Sequence, residues 1–267
     1  MEEQERLRRG SSFGAVAQAY AEYRPDYPEE AVRWALEPAV GSAGGPASTA
    51  VSGLRVLDLG AGTGKLTAVL IALGAAVTAV EPDEAMLAEL RRRYCDIPAL
   101  HGSAEAIPLP DASVDAVLCG QAMHWFDMDR AVPEIARVLV PGGPLAGMWN
   151  ADDDRVEWVD QMQSVAGGLA SPSLARRRAE AAHFGVYQFG TTFFGPVERG
   201  EFAHGWPYTA ESLVALIGTH SQVLIMPEEE RSARLSGIRS FLADRPETTS
   251  GEFTLPMVTA VVRSVRL

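Results

Sequence analysis

The sequence contains few of the residues that build disulfide and metal sites. Cys95 and Cys119 are its only cysteines and lie 24 positions apart, without a CxxC pair. This spacing gives no support to a disulfide scaffold or a cysteine-based zinc site, and it favours a reducing, cytoplasmic location. The five histidines are scattered, without an i,i+4 pair. We therefore expect no metal ion.

Positive charge is equally scarce. The chain has 23 Lys+Arg against 35 Asp+Glu, which gives a formal net charge of -12, and Lys65 is the only lysine. An acidic chain repels phosphate backbones and anionic lipids over most of its surface. Nucleic acid and membrane are therefore not expected as partners.

Long hydrophobic runs are also missing. The longest apolar stretch, residues 68–80, is interrupted by Gly74 and Thr78, and it is shorter than the roughly 18 to 20 residues that span a bilayer. The acidic start of the sequence lacks the apolar core of a signal peptide. These absences leave a small molecule as the expected partner, and the sequence does not decide between a monomer and a homodimer.

The composition that remains is that of a globular protein, with 47% hydrophobic and 22% charged residues. From residue 54, short apolar strands alternate with helices that have one apolar face. Strands are predicted at 54–59, 76–80, 114–119 and 145–149, and helices at 66–73, 83–94 and 128–139, the second of them capped by Asp83. This alternation indicates an α/β fold with a mostly parallel sheet covered by helices on both faces.

The other segments are less strongly patterned. Two short helices are predicted within 12–36, followed by a flexible loop at 41–48. After residue 151, helices are predicted near 153–184, 209–218 and 228–243, with a final strand or hairpin at 253–265. The segment 183–206 is aromatic and glycine-rich, and the aromatic residues of the region 183–226 either wall an apolar pocket or belong to an ordinary core.

The most informative motif lies between the first predicted strand and helix, where Asp58 is followed by Gly60, Gly62 and Gly64. Alternate glycines let the backbone approach a ligand at a helix N-terminus. A P-loop would need Ser or Thr after Gly64-Lys65, and Leu66 stands there instead. A dinucleotide fingerprint would need its third glycine one residue later, which disfavours a nicotinamide or flavin site without excluding it.

The DxGxGxG arrangement resembles the first motif of the class I S-adenosylmethionine-dependent methyltransferases, and later segments resemble their motifs in order and spacing. Glu81 ends the second strand, 21 residues after Gly60, which suits a carboxylate that accepts hydrogen bonds from both ribose hydroxyls. The alternative is a surface acid in a loop. The resemblance implies a Rossmann-like, doubly wound, mostly parallel seven-stranded sheet with amino-terminal helices and a helical insertion that forms a lid. It further implies one domain over 1–267, divided into cap helices (12–40), a cofactor-binding core (54–150) and substrate-side helices and strands (151–267).

Two further segments resemble a subgroup of this family that methylates small molecules. One is the run from Gln121 through His124 to Phe126, after the fourth predicted strand. The other is Tyr20-Ala21-Glu22-Tyr23-Arg24-Pro25-Asp26-Tyr27-Pro28 near the start of the sequence. The cofactor-binding residues implied by the resemblance are Tyr20, Arg24, Asp58, Gly60, Ala61, Gly62, Gly64, Glu81, Pro82, Met86, Ser103, Ala104, Glu105 and Gln121.

Several of these residues keep two interpretations. Tyr20 or Arg24 lies near the methionine end of the cofactor, or Arg24 only pins a helix end. His124 is a base that takes a proton from the acceptor, or it only packs the loop under the cofactor. Asp58 supports the glycine loop through backbone hydrogen bonds, or it contacts the cofactor amino group through water. Lys65 is expected to face solvent or to cap its helix.

The function that follows is transfer of a methyl group from S-adenosylmethionine to an O, N or C atom of a small organic acceptor, a class that includes secondary metabolites. The sulfonium is an activated donor, so alignment and exclusion of water are the main requirements. A protein that binds the cofactor without catalysis and a nicotinamide-dependent oxidoreductase are the alternatives.

Overall fold

The computed structural model describes residues 23–42, 51–167 and 192–267. Its helices are α1 (Glu29–Ser42), α2 (Lys65–Ala72), α3 (Glu84–Arg93), α4 (Met128–Val138), α5 (Glu157–Ala166), α6 (Ala210–Gly218), α7 (Ser221–Leu224) and α8 (Glu228–Ala243). Its strands are β1 (Arg55–Leu59), β2 (Ala76–Glu81), β3 (Ala99–His101), β4 (Ala116–Gly120), β5 (Pro144–Asp152), β6 (Glu198–Tyr208) and β7 (Phe253–Val265). In the described part of the chain, no helix is long and apolar enough to cross a membrane.

The seven strands form one sheet in the order β3-β2-β1-β4-β5-β7-β6. Strand β1 pairs in parallel with both β2 and β4, and the β2–β3 and β4–β5 pairs are also parallel. The order reverses between β1 and β4, which opens a crevice at the carboxyl ends of these two strands. The predicted Rossmann-like, mostly parallel seven-stranded sheet is therefore confirmed.

The chain divides into two compact units. The first, called the sheet unit, comprises Asp26–Trp149, Ala179–Phe202 and Thr259–Leu267. The second, called the helical unit, comprises Met1–Pro25, Asn150–Arg178 and Ala203–Val258. Each unit has a hydrophobic core of its own.

In the sheet unit, alternate residues of each central strand enter different cores, as the two-residue period of a strand requires. Val56 and Leu118 pack with residues of α1 and α2. Leu57 and Val117 pack with residues of α4. The strands therefore carry helices on both faces, as the alternating pattern predicts. In the helical unit the core joins α5, α6, α8 and the start of β7, through residues that include Val159, Met162, Leu213, Ile217, Ile238, Leu242 and Leu255.

Local patterns locate most elements to within a few residues. Asp83 caps α3 as predicted, because its carboxylate accepts hydrogen bonds from the N–H groups of Ala85 and Met86, both at 2.9 Å. Helix α4 buries its predicted face, and β7 is a single long strand rather than a hairpin. Helices α6 and α8 also lie where they are predicted.

The first described helix differs from its prediction. Helix α1 continues to Ser42, beyond the expected end at residue 36 and into the segment predicted to be a loop from residue 41. The apolar face of this helix remains buried as far as Ala39, and this burial favours the extra turn. Pro38 lies within the helix. The predicted helix before residue 23, and the remainder of the 41–48 loop from residue 43 onward, lie outside the described residues.

The helix predicted near 153–184 is described only in part. Helix α5 ends at Ala166, where Gly167 adopts a left-handed conformation with φ 59. Residues 168–191 lie outside the described ranges. Of the aromatic segment, Phe194 is buried in the core of the sheet unit, and Trp206 and Tyr208 pack in the core of the helical unit. Phe194 and Tyr208 are therefore core residues, and Trp206 is partly buried against the core.

Candidate active site

The glycine loop joins β1 to α2 at the carboxyl end of the sheet. The N–H groups of Gly60 and Ala61 both donate to the carbonyl oxygen of Val80, at 2.8 and 3.1 Å. Gly60, Gly62 and Gly64 all have positive φ values of 70, 57 and 91, a conformation that costs other residues energy. The loop is thereby held against β2 and leads into the N-terminus of α2, where backbone N–H groups are available to a ligand.

Protein neighbours explain two of the three glycines. A Cβ atom at position 60 would lie 2.6 Å from Cβ of Ala122, and one at position 64 would lie 2.5 Å from Cε2 of Tyr94. A Cβ atom at Gly62 would meet only the sulfur of Met86, at 3.7 Å. Gly62 therefore faces the most open space of the three, as expected where a ligand approaches the backbone.

Glu81 lies at the end of β2 beside this loop, and its residue is only 6% exposed. Its Oε2 accepts from the N–H of Gly62 at 2.8 Å, and its Oε1 accepts from the N–H of Asp83 at 2.9 Å. Burial raises the pKa of the Glu81 carboxyl, and these two hydrogen bonds oppose the shift. The carboxylate thus connects the glycine loop to the start of α3. It is a buried acid rather than a surface acid in a loop.

Asp58 is fully buried in β1. The Thr67 hydroxyl of α2 donates to its Oδ2 at 2.6 Å, while its Oδ1 has no hydrogen-bond partner among the described residues. Burial raises the pKa of Asp58 to about 7, opposed by the Thr67 hydrogen bond and reinforced by the charge of Glu81. Asp58 therefore supports helix α2, which follows the glycine loop, through Thr67.

Three of the expected cofactor-binding residues, at positions 103–105, follow β3. Ala104 is 3% exposed and packs in the core beneath the sheet edge. Glu105 is half-buried, and its Oε1 accepts from the N–H of Asp127, the N-cap residue of α4, at 2.8 Å. Ser103 is half-buried and forms a β-bridge with Ala106. This loop is therefore fixed to α4 through Glu105.

The segment after β4 contains Gln121 and His124. Gln121 has a φ of 55, unusual for a residue other than glycine, and its N–H donates to the carbonyl oxygen of Met148 at 2.8 Å. His124 is half-buried in a short 3-10 turn, Met123–Trp125. The indole N–H of the fully buried Trp149 donates to Nδ1 of His124 over 3.4 Å. This bond places the proton of a neutral His124 ring on Nε2.

The amino-terminal candidates lie outside the sheet unit or outside the described residues. Tyr20 lies outside the described residues. Arg24 belongs to the helical unit, where it stands in a half-buried bend. The Tyr208 hydroxyl of the same unit donates to the carbonyl oxygen of Tyr23, next to Arg24, at 3.0 Å.

Sequence reasoning missed three contacts around the loop. Lys65 forms an ion pair with Asp26, so it does not simply face solvent. Tyr27 and Tyr94 cover Gly120 and Gly64 so closely that neither glycine has room for a side chain. The sequence shows a lysine at the start of a helix and several tyrosines, but it does not indicate which residues these side chains contact.

Within the described ranges, no group of three or more His, Cys, Asp and Glu could hold a metal ion.

The residues fit the nucleoside part of S-adenosylmethionine. An open glycine faces the crevice, and the carboxylate of Glu81 lies beside it with one backbone hydrogen bond on each oxygen. A carboxylate oxygen can accept two such bonds. In the same region two buried oxygens, Oδ1 of Asp58 and Oγ1 of Thr63, have no partner among the described residues.

Comparisons with known proteins agree with this geometry. The family described as "Methyltransferase domain" matches residues 57–147. An uncharacterized methyltransferase of Mycobacterium tuberculosis (strain ATCC 25618 / H37Rv) is 39% identical over 254 residues, with 95% of each chain covered. A malonyl-[acyl-carrier protein] O-methyltransferase of Methylococcus capsulatus is 43% identical over 98 residues, which are 34% of this chain and 36% of that one.

A solved structure from Anaeromyxobacter dehalogenans, described as a candidate type II methyltransferase, has a TM-score of 0.60 and 27% identity. It covers 91% of this chain and 98% of its own. The similarity to the Mycobacterium tuberculosis relative extends over nearly the whole sequence. The solved structure shares the fold that carries the glycine loop. The chain therefore belongs to the class I S-adenosylmethionine-dependent methyltransferases, and S-adenosylmethionine is its cofactor.

Proposed function

We propose that the protein methylates an O, N or C atom of a small organic acceptor, a class that includes secondary metabolites, in the cytoplasm. The observation that carries the proposal is the packing of the segment after β4 on the cofactor loop. A Cβ atom at Gly60 would lie 2.6 Å from Ala122 and 3.6 Å from the ring of Phe126. An acceptor bound beside His124 would therefore be next to the cofactor loop, at the end of the sheet where ligands bind in this fold.

The proposed cofactor contacts divide by element. The glycine loop offers backbone N–H groups, and Glu81 offers its remaining lone pairs to the ribose hydroxyls. The other proposed contacts are Pro82, Met86, Ser103, Ala104, Glu105 and Gln121 in the sheet unit, with Arg24 and Tyr20 toward the methionine end. Asp58 has one acceptor oxygen without a partner among the described residues, and this supports an indirect, water-mediated contact with the cofactor.

S-adenosylmethionine supplies a methyl group that is already activated by the sulfonium. The protein has to hold an acceptor atom in line with this group and exclude water. His124 is the proposed proton acceptor where the substrate must lose a proton. Because the Trp149 indole N–H donates to Nδ1, His124 can take a proton on this nitrogen only when that hydrogen bond opens.

The charge of the chain supports a small acceptor. At a formal net charge of -12, the protein does not attract polyanions such as nucleic acids. The Methylococcus capsulatus relative is described as acting on malonyl-[acyl-carrier protein], but it matches only 34% of this chain. A carboxylate oxygen therefore enters the test as one acceptor among several.

The test is a survey of acceptors with S-adenosylmethionine that carries a deuterated methyl group. Purified protein is incubated separately with small carboxylic acids, phenols, amines and activated carbon acids, and products are read by mass spectrometry. The proposal predicts a labelled product in at least one small-molecule class and none on RNA or DNA. Binding of S-adenosylhomocysteine without any labelled product would favour the cofactor-binding protein without catalysis and contradict the proposal. Family membership already disfavours the nicotinamide-dependent alternative.

A further inference from the structure

Lys65 occupies an electrostatically unfavourable position. It is the first residue of α2, directly after Gly64, where the helix dipole repels cations. Its Nζ lies 3.1 Å from Oδ1 of Asp26, and the two side chains are 20% and 36% exposed. The counter-charge explains how the only lysine of the chain can lie at the start of this helix.

Asp26 is followed by a residue that contacts a different part of the crevice. Tyr27 is 7% exposed. A Cβ atom at Gly120, the last residue of β4, would lie 2.7 Å from the Tyr27 hydroxyl oxygen and 3.0 Å from Cζ. Two adjacent residues thus contact the start of α2 and the end of β4, which flank the reversal point of the sheet.

A third side chain completes the arrangement around Gly64. The ring of Tyr94 lies against Gly64 so closely that a Cβ atom there would come within 2.5 Å of Cε2. Burial raises the pKa of Tyr94, and the charge of Asp26 adds to the shift. Asp26, Lys65 and Tyr94 therefore form one cluster around the last glycine of the loop, which we call the Gly64 cluster.

We propose that the Asp26–Lys65 ion pair positions the glycine loop for S-adenosylmethionine, and that Lys65 is a positioning residue of the enzyme. The pair fixes the first residue of α2, and with it the end of the loop that presents Gly62. Neither Asp26 nor Lys65 is among the expected cofactor contacts, so the effect of the ion pair on cofactor binding is transmitted through Gly64. The inference depends on cofactor binding and is independent of the acceptor.

The competing explanation is that the pair contributes only to the stability of the fold. Another ion pair provides a matched control. Arg55, at the start of β1, binds Asp115 through Nη2 and Oδ1 at 2.5 Å and through Nε and Oδ2 at 3.2 Å. The side chains of Arg55 and Asp115 are 50% and 26% exposed. This pair lies at the amino end of β1, away from the glycine loop.

The experiment measures two quantities for each variant: the dissociation constant of S-adenosylhomocysteine by calorimetry and the urea midpoint of unfolding. The test variants are Lys65→Met, Asp26→Asn, the double variant and the conservative Lys65→Arg. The control is Arg55→Met. We expect Lys65→Met and Asp26→Asn each to weaken binding about three- to fivefold, the range of a partly exposed ion pair.

The double variant should bind no more weakly than either single variant, because each change removes the same interaction. Lys65→Arg and Arg55→Met should stay within about twofold of the wild type, although Arg55→Met lowers the urea midpoint. Equal affinity of Lys65→Met and wild type, with a lower urea midpoint, would overturn the inference and leave the pair a structural one. Equal losses in Lys65→Arg and Lys65→Met would also overturn it. Failure of the wild type itself to bind S-adenosylhomocysteine would instead contradict the cofactor assignment.

Discussion

Gly62 and Glu81 are joined by a hydrogen bond of 2.8 Å from the backbone N–H to Oε2. The second oxygen of the same carboxylate accepts from the N–H of Asp83 at 2.9 Å. One buried acid therefore connects the glycine loop with the helix start that follows β2. A substitution of Glu81 should therefore disturb the order of the glycine loop and weaken ribose binding at the same time.

The first prediction concerns Glu81→Gln. The amide keeps one acceptor oxygen, but its NH2 group faces a backbone N–H and cannot replace the second bond. We expect affinity for S-adenosylhomocysteine to fall by about 1 to 3 kcal/mol, measured by calorimetry. Glu134→Gln is the control, because Glu134 also accepts from a backbone N–H, that of Ile107 at 2.9 Å, outside the expected cofactor contacts. Equal affinities of Glu81→Gln and wild type would refute the ribose contact.

The second prediction contrasts two glycines of the loop. Gly60→Ala brings a Cβ atom within 2.6 Å of Ala122, so thermal unfolding should show a clear loss of stability. In Gly62→Ala the new Cβ atom would meet only the sulfur of Met86, at 3.7 Å. The free energy of unfolding should therefore fall only by about 1 to 2 kcal/mol, the cost of holding alanine in a left-handed conformation. The affinity of Gly62→Ala for S-adenosylhomocysteine should nevertheless fall strongly, because the new methyl group would occupy the space through which the ligand is expected to approach the backbone. Unchanged affinity in a folded Gly62→Ala variant would show that the ligand does not approach there.

The third prediction concerns Asp58 and pH. Its pKa is about 7 in the folded protein against a model-compound value of 3.8, so the folded state binds the proton more tightly than the unfolded state. This contribution to stability is complete below pH 3.8 and is lost as the pH rises toward 7, by a total on the order of 4 kcal/mol. Asp58→Asn keeps an acceptor for Thr67 and should remove this part of the pH dependence. Urea unfolding of both proteins at several pH values in this range measures the difference, and identical slopes would contradict it.

The elements that local sequence determines were predictable, and the connections between distant segments were not. The cap at Asp83 and the buried face of α4 follow from spacings within one helix. The bond from the N–H of Asp127 to Glu105 links residues 22 positions apart. No local pattern specifies such a partner, because it depends on which strand ends the sheet brings together.

The same distinction applies to the candidate site. The spacing from Gly60 to Glu81 identified the buried acid beside the loop because both follow directly from the strand-helix-strand unit. The ion pair of Lys65 was missed, since its partner Asp26 belongs to a segment before the sheet begins. The continuation of α1 past Pro38 was missed because proline usually disfavours the interior of a helix.

The fourth prediction addresses His124. If His124 takes a proton from the acceptor, His124→Ala should lower kcat about 10²- to 10⁴-fold and leave the affinity for S-adenosylhomocysteine unchanged. Trp149→Phe removes the N–H that occupies Nδ1, and it should change the pH dependence of kcat while activity persists. These profiles are measured with the acceptor identified by the labelling survey. A fully active His124→Ala variant with the wild-type pH profile would assign His124 to packing.

The central claim is that this chain transfers the methyl group of S-adenosylmethionine to a small molecule. The most direct measurement is mass spectrometry of small acceptors after incubation with the cofactor carrying a deuterated methyl group. The account predicts a product labelled with that methyl group, formed by the wild type and strongly reduced with Glu81→Gln at low cofactor concentration. Tight binding of S-adenosylhomocysteine with no labelled product in any acceptor class would contradict it.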